Sequence, residues 1–350
     1  MTPFITIRQA SASYPVYAGR DLLGEVASLI HARGRIFVIT SAPLRDRFGE
    51  RIAASLDADV IEIEEGESHK NLTTVNDIVT QLLARGAKRD SMAVVVGGGM
   101  VGDTAGFAAS IFLRGIDLVH IPTTLLAQVD SSLGGKVAVN HASGKNLIGS
   151  FFPPRAVISD LSTLDSLPRR EMLSGLFEAL KGGVIGDASL FEMLESPPRI
   201  DVDEVVRKAI QVKAEIVSAD EREADLRRLL NYGHTIGHGI EAALDYRHLT
   251  HGEGVAWGMI AANAIAVQRG LLARNVAGRI DRAIRAWNPT PIPADIDRNA
   301  ILAAAEHDKK NTGSQRVMVF PRAIGTCEVF ADITEAEIAF GVDAILGEVR

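Results

Sequence analysis

The first half of the chain alternates short β-branched runs with amphipathic stretches. Phe4 to Arg8 alternates apolar and polar positions as a half-exposed strand does, and Tyr14 to Tyr17 is placed to pair with it as a hairpin. RIFVIT (Arg35 to Thr40), DVIEIE (Asp59 to Glu64), SMAVVV (Ser91 to Val96), DLVHI (Asp117 to Ile121) and Ala156 to Asp160 predict further strands. Asn71 to Arg85 sets Val75, Ile78, Val79, Leu82 and Leu83 on one helical face, and Gly102 to Phe112 predicts a second helix. Strands alternating with helices over this length predict a parallel sheet with both faces covered.

From about Ser166 the period changes. Arg169 to Leu180, Val202 to Ala219, Asp225 to Leu244, Glu253 to Gly270 and Val276 to Trp287 all predict helices, and Pro289, Pro291 and Pro293 end the run. Ser314 to Phe320 and Thr326 to Phe330 predict a late hairpin, and Glu335 to Leu346 a closing helix. The expected architecture is an α/β N-terminal domain over 1–165, with a Rossmann-like parallel sheet for a nucleotide, followed by a mostly α-helical C-terminal domain over 166–350. A cleft between two such domains is the expected place for a site.

Composition narrows the function classes. With 47% apolar and 23% charged residues, the 350-residue chain has the profile of a soluble globular protein. A net charge of -7 without a basic block argues against a nucleic-acid partner. The single cysteine, Cys327, excludes an intrachain disulfide and fits a reducing compartment. The first twenty residues lack a signal-peptide core, and the longest apolar run, Gly254 to Val267, is too short to span a membrane, so a cytoplasmic protein is expected.

Four segments carry candidate chemistry. Gly97, Gly99 and Gly102 in GGGMVGD match G-x-G-x-x-G between a strand and a helix, where glycines admit a pyrophosphate and free amides bind it. Any sheet-to-helix turn can produce that spacing by itself, and here it follows a late strand instead of the first. EGESHK (Glu65 to Lys70) follows a strand directly and offers groups for ribose and phosphate, although alone it is a solvated loop. Ile121 to Ser150 contains Thr123, Thr124, Asp130 and Asn146, with Lys136 and Lys145 on glycine loops suited to an anion. Finally, LNYGHTIGHGIEAALDYRHLTHGE holds His234, His238, His248 and His251. The spacing of four sets His234 and His238 on one helical face, as joint metal ligands would be. Glu178 and Lys181, three apart in GLFEALK, lie among apolar residues, and Glu178 is the carboxylate chosen to complete a metal site.

Together these motifs resemble 3-dehydroquinate synthase, an enzyme of the shikimate pathway, and the resemblance covers nearly the whole chain. It is carried by EGESHK, GGGMVGDTAGFAAS, FLRGIDLVHIPTTLLAQVDSSLGGK, VNHASGKNLIGSFFPP, GLFEALK, LRRLLNYGHTIGHGIE, THGEGVAWGM and HDKK. The fold it implies is dehydroquinate synthase-like. It implies NAD held at Glu65, Gly66, Glu67, Ser68, His69 and Lys70, at Gly99, Met100, Val101, Gly102 and Asp103, at Thr123, Thr124, Lys136 and Lys145, and at Thr163, Leu164, Asp165 and Ser166. It implies zinc or cobalt held by Glu178, His234 and His251, with His238 facing substrate instead of joining His234 on the metal. The active-site positions it transfers are Asp130, Lys136, Asn146, Lys181, Lys213, Arg227, Asn231, His238 and one or both of Lys309 and Lys310. Arg114 matches an arginine that reaches a neighbouring subunit's site, which implies a homodimer.

The implied reaction converts 3-deoxy-arabino-heptulosonate 7-phosphate to 3-dehydroquinate and phosphate. It runs through transient oxidation at C5 by NAD, β-elimination of phosphate, return of the hydride, ring opening and an aldol closure. NAD is regenerated each turnover. Three positions depart from the family pattern. Ser41 stands where many members place an acid near the adenine ribose, Gly182 where an aromatic residue follows the site lysine, and Asp225 where a glycine is common. Three other readings compete with this one. A cyclase acting on sedoheptulose 7-phosphate is disfavoured by Asn231, His238 and the HDKK lysines. A metal-dependent dehydrogenase is disfavoured by the paired loops at Lys136 and Lys145, and a non-catalytic scaffold by the intact ligands.

Overall fold

The computed structural model describes residues 1–197, 200–312 and 316–347, and the side chains of 307–312 lie outside that description. The chain divides into two compact units, 1–167 with 213–222 and 168–212 with 223–350.

The first unit is built on a seven-stranded sheet. Its strands are β1 (Ile5–Arg8), β2 (Ser13–Gly19), β3 (Ile36–Ser41), β4 (Asp59–Ile63), β5 (Met92–Gly97) and β6 (Asp117–Pro122), joined by β9 (Ala156–Asp160). The order is β1-β2-β9-β6-β5-β3-β4. All neighbours run parallel except β1 and β2, which form the expected hairpin with Ile7 opposite Tyr14. Side chains alternate between two buried faces. Phe37, Ile39 and Val95 join one core, with Val75 and Ile78 of α4 (Leu72–Ala84) and Ala105 and Phe107 of α5 (Gly99–Ile111). Val38, Val94 and Val96 join the other, with Val26 of α1 (Val26–Leu29) and Ile52 of α3 (Glu50–Leu56). The short α2 (Ala42–Leu44) follows β3. This is the parallel, doubly covered sheet that the hydrophobic pattern predicts.

The lysine-rich segment is not a loop. Lys136–His141 (β7) and Gly144–Phe151 (β8) pair antiparallel as a separate two-stranded ribbon, and Val137 and Val139 join the core above β5.

The second unit holds α6 (Arg169–Gly186), α7 (Ala188–Leu194), α9 (His234–Ala243), α10 (His251–Gln268), α11 (Arg274–Ala286), α12 (Arg298–Thr312) and α13 (Glu335–Leu346), with a hairpin of β10 (Met318–Ala323) and β11 (Thr326–Phe330). Helix α8 (Val202–Ala219) gives residues 202–212 to this unit and 213–219 to the first. The helix expected over Asp225 to Leu244 is in fact two elements. A 3₁₀ segment, Leu226–Asn231, is cut from α9 by Gly233 at φ +82°. A side chain at Gly233 would meet the Val255 carbonyl at 2.8 Å, so the break admits a close helix contact. No helix among the described residues is long and apolar enough to cross a membrane.

Candidate active site

In the second unit, three helices bring one carboxylate and three imidazoles together. Helix α9 starts at His234 and presents His234, His238 and Glu241 at i, i+4 and i+7, one stripe of one face. Helix α10 starts at His251, where a capping box joins Thr250 and Glu253. Glycines let the two helices touch. A side chain at Gly237 would meet the Gly254 carbonyl at 2.7 Å, and one at Gly258 would overlap the Gly233 carbonyl. Helix α6 adds Glu178 and Lys181, both buried.

The nitrogens and oxygens converge. One ring nitrogen from each of His234, His238 and His251 lies within 4.8 Å of the other two. Glu178 Oε1 is 3.8 Å from His234 Nε2 and 3.5 Å from His251 Nε2, and Lys181 Nζ pairs with Glu178 Oε2. The opposite ring nitrogens are engaged: His234 Nδ1 lies 3.2 Å from the Tyr232 carbonyl and His251 Nδ1 lies 3.0 Å from Glu241 Oε1. Both partners only accept, so each Nδ1 donates and each Nε2 faces Glu178.

Such a cluster demands positive charge. Burial opposes protonation of His251, but Glu241 and Glu178 outweigh it and raise its pKa to about 10. Burial pulls His234 well below its ordinary value, and the Lys181 ammonium and the two other histidines add to that. Two imidazoles and a carboxylate form the donor set of a catalytic zinc or cobalt site, and a cation there would balance Glu178 without protonating a ring. These residues fit the implied metal. His238 completes an alternative three-histidine set with the same two rings.

Nearby, Arg227 is among the largest fully buried side chains, and Asn231 Nδ2 donates to Glu223 Oε1 at 2.7 Å. Glu223, at φ +61°, and Glu241 were not singled out in the sequence. The one signal for Glu241 is its spacing of seven from His234. Lys309 and Lys310 have side chains outside the described residues.

In the first unit the glycine-rich turn lies between β5 and α5, as its spacing requires. Gly98 is the N-cap of α5 and no side chain caps the first turn. Gly99 opens the helix, with Met100, Val101, Gly102 and Asp103 in its first turns. Among the described residues, Thr123 Oγ1 is buried without a hydrogen-bond partner, while Thr124 Oγ1 accepts from Ala127 N at 3.1 Å. Uncapped amides beside an orphaned hydroxyl fit a dinucleotide pyrophosphate. Lys70 Nζ contacts Asp103 Oδ2 at 2.5 Å and Asn146 Oδ1 at 2.6 Å. Burial raises the Asp103 pKa, against the pull of Lys70.

Gly66 (φ +106°) leads into the turn of Glu67, Ser68 and His69, and His69 pairs with Glu64 at 3.0 Å. Lys145 lies 3.8 Å from Glu67, and Lys136 begins β7. Asp130 receives Lys213 Nζ at 2.5 Å. Thr163 donates to the Asp160 carbonyl at 2.8 Å, Leu164 is buried, Ser166 donates to the Thr163 carbonyl at 3.3 Å, and Asp165 forms a surface pair with Arg20. Arg114 sits at φ +72° in an exposed turn. His120, whose place in β6 gives no functional signal in the sequence, lies under the glycine turn, 3.7 Å from where a Gly102 side chain would begin, and burial lowers its pKa to about 4.

Comparisons with known proteins agree along the whole length. Residues 60–174 match the family model for the 3-dehydroquinate synthase N-terminal region, and 175–311 match the C-terminal one. A 3-dehydroquinate synthase of Solibacter usitatus (strain Ellin6076) is 40% identical over 345 residues, covering 95% of this chain and 96% of that protein. Among solved structures, 2-deoxy-scyllo-inosose synthase, complexed with carbaglucose-6-phosphate, NAD+ and Co2+, superposes with a TM-score of 0.87 at 29% identity, covering 97% of this chain and 98% of that one. The 2-epi-5-epi-valiolone synthase from Streptomyces hygroscopicus subsp. jinggangensis 5008, with NAD+ and Zn2+ bound, gives 0.86 at 32% identity and the same coverage.

Proposed function

Because the chain belongs to the 3-dehydroquinate synthase family, we propose that it converts 3-deoxy-arabino-heptulosonate 7-phosphate to 3-dehydroquinate and phosphate. The observation that carries the reading is the convergence of Glu178, His234 and His251 on one point, with both Nδ1 atoms engaged on the far side. Residues 1–165 serve NAD, and residues 166–350 serve the metal and most of the substrate. When bound, zinc or cobalt polarises two neighbouring substrate hydroxyls, and NAD accepts and returns one hydride, so the net reaction shows no redox change.

The chain's own residues do the rest. Glu178, His234 and His251 hold the metal. His238, next along the α9 stripe, and Lys181, held by Glu178, take and return the proton of the C5 hydroxyl. Lys136, Arg227, Asn231 and a lysine of the pair Lys309 and Lys310 bind the phosphate as charged donors. Arg227 suits this role because a buried guanidinium loses little order on gripping an anion. Asp130, Asn146 and Lys213 position the sugar acid, and the Lys213–Asp130 pair fixes each in place. Arg114 reaches a second copy in a homodimer, and the enzyme works in the cytoplasm.

The test is phosphate release from the heptulosonate phosphate, with and without chelator. Release that depends on metal and on bound NAD, with no NADH accumulating, supports the reading. A second reading, a cyclase for sedoheptulose 7-phosphate, draws on the fold shared with the two cyclase structures. Phosphate release from that sugar alone would establish it.

A further inference from the structure

Glu65 is an exposed carboxylate with one fixed oxygen. It accepts from Ser41 Oγ at 2.5 Å, and it makes no other hydrogen bond or ion pair among the described residues. Ser41 is fully buried and ends β3. It stands at the N-cap of α2, where a serine hydroxyl ordinarily satisfies the helix amides. Here it makes no such bond and turns to Glu65 instead.

The position of this pair in the sheet gives it meaning. Gly97, at the start of the glycine-rich turn, ends β5, and β3 is the parallel neighbour of β5. In doubly wound sheets a dinucleotide lies across the carboxyl ends of the strands, pyrophosphate on the glycine turn. The ribose hydroxyls then meet an acid at the end of the adjacent strand. In this chain that place holds Ser41, which has no carboxylate to offer. The acid is supplied from the next strand over: β4 ends at Ile63 opposite Ser41, and Glu65 follows two residues later.

We infer that Glu65, presented by Ser41, binds the ribose hydroxyls of the adenosine half of the dinucleotide and selects NAD over NADP. This rests on the NAD-dependent reading above. One carboxylate oxygen is held by the protein and the other accepts from the 2′-hydroxyl. A 2′-phosphate in the same place would meet Glu65 with Glu64 and Glu67 close by in sequence, all acidic. The two arginines on the turn after Ser41 are otherwise engaged: Arg45 pairs with Glu50 at 3.1 Å and Glu62 at 3.5 Å, and Arg47 donates to the Ser166 carbonyl at 3.4 Å.

Calorimetric titration of NAD+ and NADP+ into the full-length protein, its Glu65→Gln and Ser41→Ala variants, and the double variant Ser41→Asp with Glu65→Ala tests it. Glu65 is exposed, so its replacement leaves the fold intact. The expected result is tight NAD+ binding by the parent, weakened about tenfold or more in Glu65→Gln, with the NADP+ constant unchanged or improved. Ser41→Ala gives a smaller loss, and the double variant recovers NAD+ affinity because the acid returns to the strand end. Unchanged NAD+ affinity and preference in Glu65→Gln overturns the inference and leaves the NAD-dependent reading standing. A parent that binds neither dinucleotide overturns both.

Discussion

If Glu178, His234 and His251 hold the metal as proposed, the carboxylate of Glu241 tunes its affinity without touching it. Its Oε1 lies 3.0 Å from His251 Nδ1 and the residue is buried, so the bond is charge-assisted and shielded from water. That bond keeps the proton on Nδ1 and aims Nε2 at Glu178. A hydrogen bond of this type contributes about 1.5–3 kcal/mol, which corresponds to roughly a 10–100-fold change in dissociation constant. Glu241→Ala is therefore expected to weaken zinc binding about 10–100-fold near neutral pH. Glu241→Gln keeps an oxygen for Nδ1 and should lose about tenfold or less. The assay titrates metal-free protein with zinc in competition with a chromophoric chelator of known affinity, with circular dichroism of each metal-free variant as the control for folding. A folded Glu241→Ala protein that binds zinc as tightly as the parent would refute the reasoning.

Three further outcomes are expected. His251→Ala should copurify with far less than stoichiometric zinc by elemental analysis, and full retention would remove His251 from the ligand set. His120 should make the fold acid-sensitive: its folded pKa of about 4 lies below the ordinary 6.5, so the unfolded chain binds the extra proton and stability falls as pH drops from 6.5 toward 4. The shift corresponds to about 3 kcal/mol, and denaturant melts of His120→Gln should lack that loss in the same window. Gly258→Ala forces a methyl group into the Gly233 carbonyl and should cost about 3 kcal/mol or more, read as a lower Tm, whereas Gly24→Ala, with nothing within 4 Å of the new carbon, should be nearly silent.

Strands β3, β5 and β6 were legible because both faces are buried, which writes continuous β-branched runs into the sequence. The β7–β8 ribbon was not, since Lys136, Lys145 and two glycines mask its alternation, and Val137 and Val139 are its buried core residues, with Ile148 packed against them. The break at Gly233 was hidden because apolar periodicity continues across it, while its cause, the facing carbonyl of Val255, is a tertiary fact. Helix α12 was missed because its charged second half dilutes the apolar stripe. The site divides in the same way. Local spacing set His234 and His238 on one face correctly. The apolar surroundings of Glu178 and Lys181 pointed to that carboxylate, but spacing could not say that His251 closes on the same point, and its place among the ligands came from the resemblance. Asp165, expected beside the nucleotide, is engaged by Arg20 at the surface.

Helices α9 and α10 touch main chain to main chain at Gly233, Gly237 and Gly258. At these points backbone faces backbone, so the imidazoles are spaced by two rods in van der Waals contact. A pocket assembled that way exists before any ion arrives. An ion captured at the proposed site would then carry little ordering cost on these two helices.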